Sequence, residues 1–374
     1  MPSVDAIVIG AGIFGVSAAI ALSESGRSCI ILDSHKEILS GASAKNQNRL
    51  HTGLHYPRDS ETAMQSSQGV ERFLSKYSSA INGSFANYYY IAERGSKTSA
   101  FEFESLAEFI GVELSPLRDS EIGSSGIDRS LVQRGWIVDE RVIDIGILRN
   151  LMLAQMEVCG IHFFGESEIT GLTFDPEYER WTATARNGVI FEATNIVLCT
   201  YGIPIEHASP PLKMEARLFQ ATVIPVVNLS RKSFGVTVLD GDFITILPRG
   251  FSNQMLLYGP TPSVAFESPS LFEVQEFMRS GHADISSSRA AVLDRTRTYF
   301  PNLSFQDNHE SLVTIRALPI NSGSTDQRRS YVKRSGVNIF QIISGKVDHA
   351  PAVSDQLIKI LDMELISPEK LPKC

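Results

Sequence analysis

The chain has 374 residues, of which 43% are hydrophobic and 20% are charged, an ordinary composition for a globular protein of about two domains. Its formal net charge of −8 argues against nucleic acid as the main partner, because phosphate backbones bind to basic surfaces. No apolar run approaches the roughly 18 residues of a membrane-spanning helix, and the first predicted strand starts so near Met1 that we expect no signal peptide. These observations predict a cytoplasmic protein, or one peripheral to a membrane.

The four cysteines, Cys29, Cys159, Cys199 and Cys374, have no spacing typical of a metal site. Cys29 and Cys199 lie inside apolar strands, which predicts buried free thiols in a reducing compartment. We therefore expect free thiols and no bound metal.

The most informative segment is 4–33, whose pattern is strand, glycine-rich turn, helix and strand. Gly10, Gly12 and Gly15 form the motif G-x-G-x-x-G where the first strand turns into the helix. The first glycine permits a tight turn, the second lets the backbone approach a pyrophosphate, and the third lets helix and strand pack closely. The N–H groups and the positive dipole end of the helix N-terminus favour phosphate. The segment therefore predicts dinucleotide binding.

Asp33 ends the second strand of this segment, where a carboxylate accepts hydrogen bonds from a ribose diol. An ordinary glycine-rich turn is the alternative interpretation, but it leaves this acid unexplained. We predict that the cofactor contacts residues of the glycine turn and of the strand end: Gly10, Gly12, Ile13, Phe14, Gly15, Asp33 and Ser34.

Hydrophobic periodicity predicts further helices and strands along the chain. Helices are expected at 64–77, 98–110, 271–278, 286–299 and 350–361, and one more within 136–164. In the helix at 98–110 we expect Phe101, Leu106, Phe109 and Ile110 to face a core. From about Leu218 the pattern becomes rich in strands.

Several strings together resemble the FAD-dependent oxidoreductases of the D-amino-acid oxidase/glycine oxidase superfamily, which includes the L-2-hydroxyglutarate and flavin glycerol-3-phosphate dehydrogenases. Besides the glycine motif, the strings are GASAKNQNRLHTGLHYP (41–57), VDERVIDIGILRNLMLAQMEVCGIHFF (138–164), TNIVLCTYG (194–202), TIRALP (314–319) and IISGKVDHAPAVSDQL (342–357). The resemblance covers most of the chain and implies a flavoenzyme. We expect the FAD to be bound noncovalently, because neither Cys29 nor Cys374 has a recognisable flavinylation context.

The resemblance implies further FAD contacts in a small-residue loop, in the strand that returns to the flavin and in the closing flavin loop. These residues are Ala42, Ser43, Thr200, Gly202, Gly345, Lys346 and Val347. The string Ser344-Gly345-Lys346 is similar to the Gly-Gly-Lys of the glycerol-3-phosphate branch, whereas HTGLHY (51–56) is similar to the hydroxyglutarate branch. The substrate therefore stays open between these branches.

The implied fold class is α/β, with a Rossmann-like FAD-binding domain interleaved with a mixed-sheet substrate domain. We assign residues 1–85, 135–215 and 331–374 to the FAD-binding domain. Residues 86–134 and 216–330 are assigned to the substrate domain.

His51 and His55 are candidates for a catalytic base, because oxidation of an alcohol requires proton removal as the hydride leaves. The resemblance places His51 closer to the flavin. The alternative is that both histidines only form hydrogen bonds within their loop.

Arg316 lies between apolar neighbours in a predicted strand, and a buried arginine requires an anionic or polar partner. A substrate carboxylate or phosphate suits its planar fork, and an internal ion pair is the alternative. Arg249 is a second candidate, for which we favour a surface turn. Lys346 precedes the helix that follows the closing loop. Its charge would either add to the positive end of that helix or hold a substrate anion. The alternative is that Lys346 is a solvated loop residue.

We predict an FAD-dependent oxidase or dehydrogenase that oxidises a CH–OH group of a small anionic substrate, with a 2-hydroxy acid favoured, by hydride transfer to flavin. The alternatives are a CH–NH group of an amino acid or secondary amine, a polyol phosphate, or a substrate of specialised metabolism. A noncatalytic FAD-binding subunit and an NAD-dependent dehydrogenase are rivals, although the latter would not need the closing loop. Oxygen and a quinone both stay open as electron acceptor, and a homodimer stays open as the assembly.

Overall fold

A computed structural model describes residues 3–230, 233–241, 243–320 and 327–366. The chain divides into two compact units. Unit 1 comprises Met1–Ser40, Arg149–Glu215 and Arg329–Cys374, and unit 2 comprises Gly41–Leu148 and Ala216–Arg328. Cys374 itself lies outside the described residues.

The strands in chain order are β1 (Val4–Ile9), β2 (Cys29–Leu32), β3 (Arg49–Leu50), β4 (Ile81–Asn82), β5 (Asn87–Ala92), β6 (Ser115–Pro116), β7 (Val132–Val138), β8 (Arg141–Ile143), β9 (His162–Phe164), β10 (Ile169–Asp175), β11 (Arg180–Ala185), β12 (Ile190–Leu198), β13 (His207–Ser209), β14 (Arg217–Leu229), β15 (Gly235–Leu239), β16 (Thr245–Pro248), β17 (Gln254–Tyr258), β18 (Val264–Ser268), β19 (Phe305–Pro319), β20 (Tyr331–Gly336) and β21 (Ile339–Ile343). The helices are α1 (Ile13–Glu24), α2 (Ser60–Tyr77), α3 (Ala100–Ile110), α4 (Ile145–Val158), α5 (Leu271–Ser280), α6 (His282–Tyr299) and α7 (Ala350–Ile366). The helices expected from periodicity are therefore present, most of them with longer bounds.

Unit 1 is built on a parallel sheet of the Rossmann type. β1 pairs in parallel with β2 on one side and with β12 on the other, β2 pairs with β9, and β12 pairs with β21. The antiparallel strands β10 and β11 extend the sheet from β12, and a turn at Asn187-Gly188 connects β11 to β12. The apolar segments Ala6–Ile9 of β1 and Ile196–Leu198 of β12 are buried, as expected for strands covered on both faces.

Helix α1 follows β1 and is apolar around most of its circumference. Nine of its twelve residues, from Ile13 to Leu22, are buried, and it packs against α7. A helix that is apolar on all sides must be covered on all sides, which fixes α1 inside unit 1.

Unit 2 contains a larger mixed sheet and a small three-stranded sheet. In the larger sheet β15 runs parallel to β5, whereas the pairings of β14 with β17, β18 and β19 are antiparallel. The long pairing of β14 with β19 extends from Arg217 and Pro319 to Leu229 and Phe305. The small sheet has the order β3–β8–β4. The predicted α/β fold class, with a Rossmann-like sheet interleaved with a mixed sheet, is confirmed.

Residues 41–85 and 135–148, which the sequence assigned to the FAD-binding domain, lie in unit 2. The reason is that β3 and β4 both pair with β8, so that these segments fold together. Whether they bind FAD stays a prediction.

One expectation about α3 is wrong. Phe101 and Phe109 are 77% and 59% exposed, whereas Leu106 and Ile110 are buried as expected. The buried stripe of α3 contains Phe103 instead of Phe101, because positions 103, 106 and 110 follow the spacing of three to four residues that repeats on one face of a helix. Among the described helices, none is long and apolar enough to cross a membrane.

Candidate active site

The glycine turn between β1 and α1 has a backbone that excludes side chains. Gly10 has φ +106°, and a Cβ atom at this position would lie 2.4 Å from the carbonyl oxygen of Cys199. A Cβ atom at Gly15 would lie 1.8 Å from the carbonyl oxygen of Gly10. Both contacts are with backbone, which cannot rotate away as a side chain can. Gly12 is the N-cap of α1, and no side chain caps this end of the helix. The glycines therefore let β1 turn directly into α1, whose N-terminus carries the positive dipole end that favours a phosphate.

Asp33 follows β2 and is tied to the same turn. The backbone N–H of Ala11 donates a hydrogen bond to Oδ2 of Asp33 at 2.6 Å, and the N–H of His35 donates to Oδ1 at 2.7 Å. Burial alone would raise the pKa of Asp33, but these bonds and the imidazole of His35, 2.8 Å from Oδ1, lower it overall. The acid is therefore ionised at neutral pH and fixed at the strand end. Ser34, the next predicted contact, is exposed.

Thr200 and Gly202 lie in the turn after β12, beside the glycine turn. The N–H of Cys199 donates to the carbonyl oxygen of Ile9 at 2.8 Å, which joins the ends of β12 and β1. Gly202 has φ +81°, and the hydroxyl of Thr200 donates to the carbonyl oxygen of Ile203 at 2.6 Å. The turns after β1, β2 and β12 thus all lie at the carboxyl end of the parallel sheet, where ligands of such sheets bind.

The predicted closing loop, Gly345 to Val347, follows β21 of the same sheet. The N–H of Gly345 donates to the hydroxyl oxygen of Ser330 at 2.7 Å, and this hydroxyl lies 2.8 Å from Nδ1 of His349. Burial, together with the charge of Lys346, lowers the pKa of His349 to about 3. Oδ2 of the buried Asp348 lies 3.3 Å from Nε2 of His349, and the half-buried Lys346 carries a positive charge in this loop. The helix after the loop, α7, begins at Ala350.

Ala42 and Ser43, the two other predicted FAD contacts, belong to unit 2. Their carbonyl oxygens accept hydrogen bonds from the side-chain amide of Asn46 at 2.7 and 3.3 Å. This amide fixes the loop that leads to β3.

The structure brings His51 and His55 together with Tyr56 in unit 2. The ring centroids of the two histidines are 5.5 Å apart, and each lies about as far from the ring of Tyr56. His51 is buried and His55 is half-buried. Across the described residues, no group of three His, Cys, Asp or Glu side chains is arranged to hold a metal ion. Imidazole side chains can accept and donate protons, so the cluster supplies candidates for proton transfer.

A buried ion pair behind this cluster was missed by the sequence analysis. Nη1 of Arg49 donates to Oε2 of Glu140 at 2.5 Å, and the hydroxyl of Tyr89 also donates to this oxygen. The other carboxylate oxygen, Oε1, accepts from the backbone N–H of Thr52 at 3.1 Å. Since Thr52 follows His51 directly, Glu140 holds the backbone of the histidine loop. Arg49 and Glu140 are 91 residues apart, and no local pattern indicates that they pair.

Arg316 on β19 is half-buried, and its hydrogen-bond partners among the described residues are neutral. Its Nε and Nη2 donate to the amide oxygen of Gln220 at 3.0 and 2.6 Å, and its Nη1 donates to the hydroxyl of Tyr258 at 2.5 Å. No carboxylate of the described residues lies within ion-pair distance of the guanidinium. Because the guanidinium has five N–H donors and these bonds use three, one donor on each terminal nitrogen stays available to an anion. Arg249, in contrast, pairs with Glu310 at 2.6 Å in a partly exposed turn.

Comparison with known proteins identifies the family. The chain belongs to the DAO family of FAD-dependent oxidoreductases, which matches residues 5–337. The protein is accordingly an FAD-dependent enzyme, and the predicted family and cofactor are confirmed. The glycine turn, which has no space for a Cβ atom, and the ionised Asp33 beside it fit FAD.

Two relatives of known sequence match the chain. The FAD-dependent monooxygenase FPY4 of Fusarium mangiferae is 24% identical over 368 residues, which cover 96% of this chain and 91% of that protein. The mitochondrial L-2-hydroxyglutarate dehydrogenase of Arabidopsis thaliana is 40% identical over 76 residues, which cover 20% of this chain and 16% of that protein.

Two solved structures have the same fold. The L-alpha-glycerophosphate oxidase of Mycoplasma pneumoniae, solved with FAD bound, has a TM-score of 0.75 at 13% identity. The glycine oxidase of Geobacillus kaustophilus has a TM-score of 0.74 at 12% identity. Each comparison covers 97% of this chain and 95% of the other.

Proposed function

We propose that this enzyme oxidises a CH–OH group next to an anionic group in a small molecule, with a 2-hydroxy acid as the favoured substrate. The observation that carries the proposal is the environment of Arg316, a half-buried guanidinium with neutral partners and two N–H donors available. Charge-assisted hydrogen bonds from a planar guanidinium suit a carboxylate. The local likeness to an L-2-hydroxyglutarate dehydrogenase supports the same substrate class.

FAD would be held by the carboxyl end of the parallel sheet in unit 1. The pyrophosphate would lie against the glycine turn and the first turn of α1, at Gly10, Gly12, Ile13, Phe14 and Gly15, and Asp33 would accept from the ribose. Ser34, Ala42, Ser43, Thr200, Gly202, Gly345, Lys346 and Val347 complete the proposed contacts. When bound, FAD accepts the hydride equivalent from the substrate carbon.

In this proposal His51 is the base that removes the hydroxyl proton, and His55 is the second candidate. The buried ring of His51 lies in a loop that Glu140 fixes through Thr52. A general base contributes typically about 10²–10⁴-fold to the rate. Lys346 would contribute positive charge from the closing loop.

The proposal is tested by kinetics of His51→Gln, with His55→Gln as the matched variant. We expect His51→Gln to retain FAD and to lose about 10²-fold or more in kcat on a 2-hydroxy acid, because the proton has no acceptor. The variant His55→Gln should lose much less. Equal losses in both variants, or none in either, would contradict the assignment of His51 as the base.

Insertion of oxygen into a substrate of specialised metabolism is a second candidate function. It is favoured by the likeness to a monooxygenase, which extends over 96% of this chain. Turnover under ¹⁸O₂ separates the two functions. Label in the organic product supports oxygen insertion, whereas an unlabelled oxo acid supports hydride abstraction.

A further inference from the structure

Three polar side chains form a row across neighbouring strands of unit 2. In the strand register, Gln220 on β14 is opposite Arg316 on β19 and also opposite Glu267 on β18. The amide nitrogen of Gln220 donates to Oε2 of Glu267 at 2.7 Å, while its amide oxygen accepts from Arg316. Gln220 therefore lies between a positive and a negative side chain, and it is only 8% exposed.

The two neighbours determine which way the amide of Gln220 points. A carboxylate only accepts hydrogen bonds and a guanidinium only donates them, so the amide nitrogen must face Glu267 and the oxygen must face Arg316. Glu267 thus fixes the orientation of Gln220, and Gln220 fixes the orientation of the guanidinium. Gln220 thus holds the guanidinium of Arg316 in place without neutralising its charge.

We propose that Gln220 is a specificity-determining residue, a neutral spacer that keeps the Arg316 guanidinium oriented and unneutralised so that it binds the anionic group of the substrate. This proposal rests on the proposed function, in which Arg316 binds that group. A glutamate at position 220 would form a bidentate ion pair with Arg316, and the protein's own carboxylate would then compete with the substrate. A neutral amide makes similar hydrogen bonds without that competition.

The test compares Gln220→Glu with Gln220→Met and with Gln306→Glu. Gln306 is an exposed residue of β19, the strand that also contains Arg316. Its variant therefore makes the same charge change at a distance from Arg316. Two quantities are measured on the FAD-loaded enzyme: the KM and kcat for the 2-hydroxy acid, and the Kd of acetate from its perturbation of the flavin absorption spectrum. FAD content is checked for each variant.

We expect Gln220→Glu to raise both the KM and the acetate Kd by about tenfold or more, with kcat changed much less, since an added charged hydrogen-bond partner is worth at least this factor. We expect Gln220→Met to raise them less, and Gln306→Glu to leave them unchanged. The double variant Gln220→Glu/Glu267→Gln, which removes the repulsion between adjacent carboxylates, should show the same loss as Gln220→Glu. If Gln220→Glu does not fold, the double variant provides the test.

Arg316→Met separates failure of this proposal from failure of the proposed function. Suppose that Arg316→Met raises the KM and the acetate Kd, but that Gln220→Glu and the double variant raise them no more than Gln220→Met does. The spacer role of Gln220 is then overturned and the anion site stands. If Arg316→Met changes neither quantity, the anion site itself is wrong.

Discussion

Replacing Glu140 with glutamine is expected to destabilise unit 2 by about 3–5 kcal/mol, the cost of removing one partner of a buried ion pair. The side chains of Glu140 and Arg49 are 0% and 3% exposed, so that water cannot replace the lost charge. Burial lowers the pKa of Arg49, but Tyr89 and Glu140 raise it overall in the wild type. Because an arginine is not deprotonated in proteins, the guanidinium stays charged in the variant and has lost its carboxylate partner.

The hydrogen bonds of Glu140 also predict that Glu140→Gln destabilises unit 2. Each of its carboxylate oxygens accepts from two donors: Oε2 from Arg49 and Tyr89, and Oε1 from the N–H and hydroxyl of Thr52. A glutamine must turn its NH₂ group toward one of these two pairs, so one set of buried donors faces another donor. An unsatisfied buried polar group costs about 1–3 kcal/mol, which is consistent with the cost of the broken pair.

The assay is equilibrium unfolding in urea, followed by the fluorescence of Trp136 in a Trp181→Phe background. Trp136 is buried in unit 2, and Trp181 belongs to unit 1, so this signal reports unit 2. The control is Glu121→Gln, which breaks an exposed pair with Arg118 and should leave the urea midpoint unchanged. A loss of stability below about 1 kcal/mol for Glu140→Gln would contradict this prediction, because it would show that the ion pair is not desolvated.

Two further predictions concern unit 1. Gly10→Ala should abolish stoichiometric FAD binding, because the added Cβ atom would lie 2.4 Å from a backbone oxygen. The control variant Gly123→Ala, with nothing within 4 Å of its Cβ atom, should retain FAD. The ratio of flavin absorbance to protein measures the FAD content of both variants. Asp33→Asn should weaken FAD binding about tenfold or more, as measured by equilibrium titration of the apoprotein. Since the folded-state pKa of Asp33 lies below its ordinary value, the stability that it contributes is present above about pH 4 and lost as the pH falls through the lowered pKa. Urea unfolding of Asp33→Asn should accordingly depend less on pH in that acidic range, and a pH dependence equal to that of the wild type would contradict this.

The geometry of the glycine turn in unit 1 could be predicted from the sequence because it is local in the chain, whereas its contacts with FAD stay a prediction. The glycine motif and Asp33 lie within a single strand–helix–strand segment, so their spacing alone implies their proximity. The hydrogen bond from Ala11 to Asp33 spans 22 residues, all within that segment.

The residues around Arg316 and the histidines were less accessible to sequence reasoning. Gln220 and Arg316 are 96 residues apart, and only the register of β14 and β19 shows that they are opposite each other. Glu140 is similarly remote from Arg49. Sequence patterns give the period of a strand but not its partner, so the two histidines and Arg316 were found as candidates while the residues that orient them were not.

The error on α3 arises because two neighbouring aromatic residues are equally suited to the buried face. Phe101 and Phe103 are both large and apolar, and two residues along a helix face nearly opposite directions. Only the position of the sheet behind Phe103 decides which of them is buried. Aromatic residues on an exposed helix face therefore mislead an interpretation based on hydrophobicity alone.

Anaerobic bleaching of the bound flavin by a small panel of substrates shows which bond the enzyme oxidises. The panel contains 2-hydroxy acids, glycerol 3-phosphate, and D- and L-amino acids including N-methylated ones. We predict that a 2-hydroxy acid reduces the flavin and that Arg316→Met raises the concentration required by about tenfold or more. Bleaching by an amine substrate alone, or by no member of the panel, would contradict the proposed function.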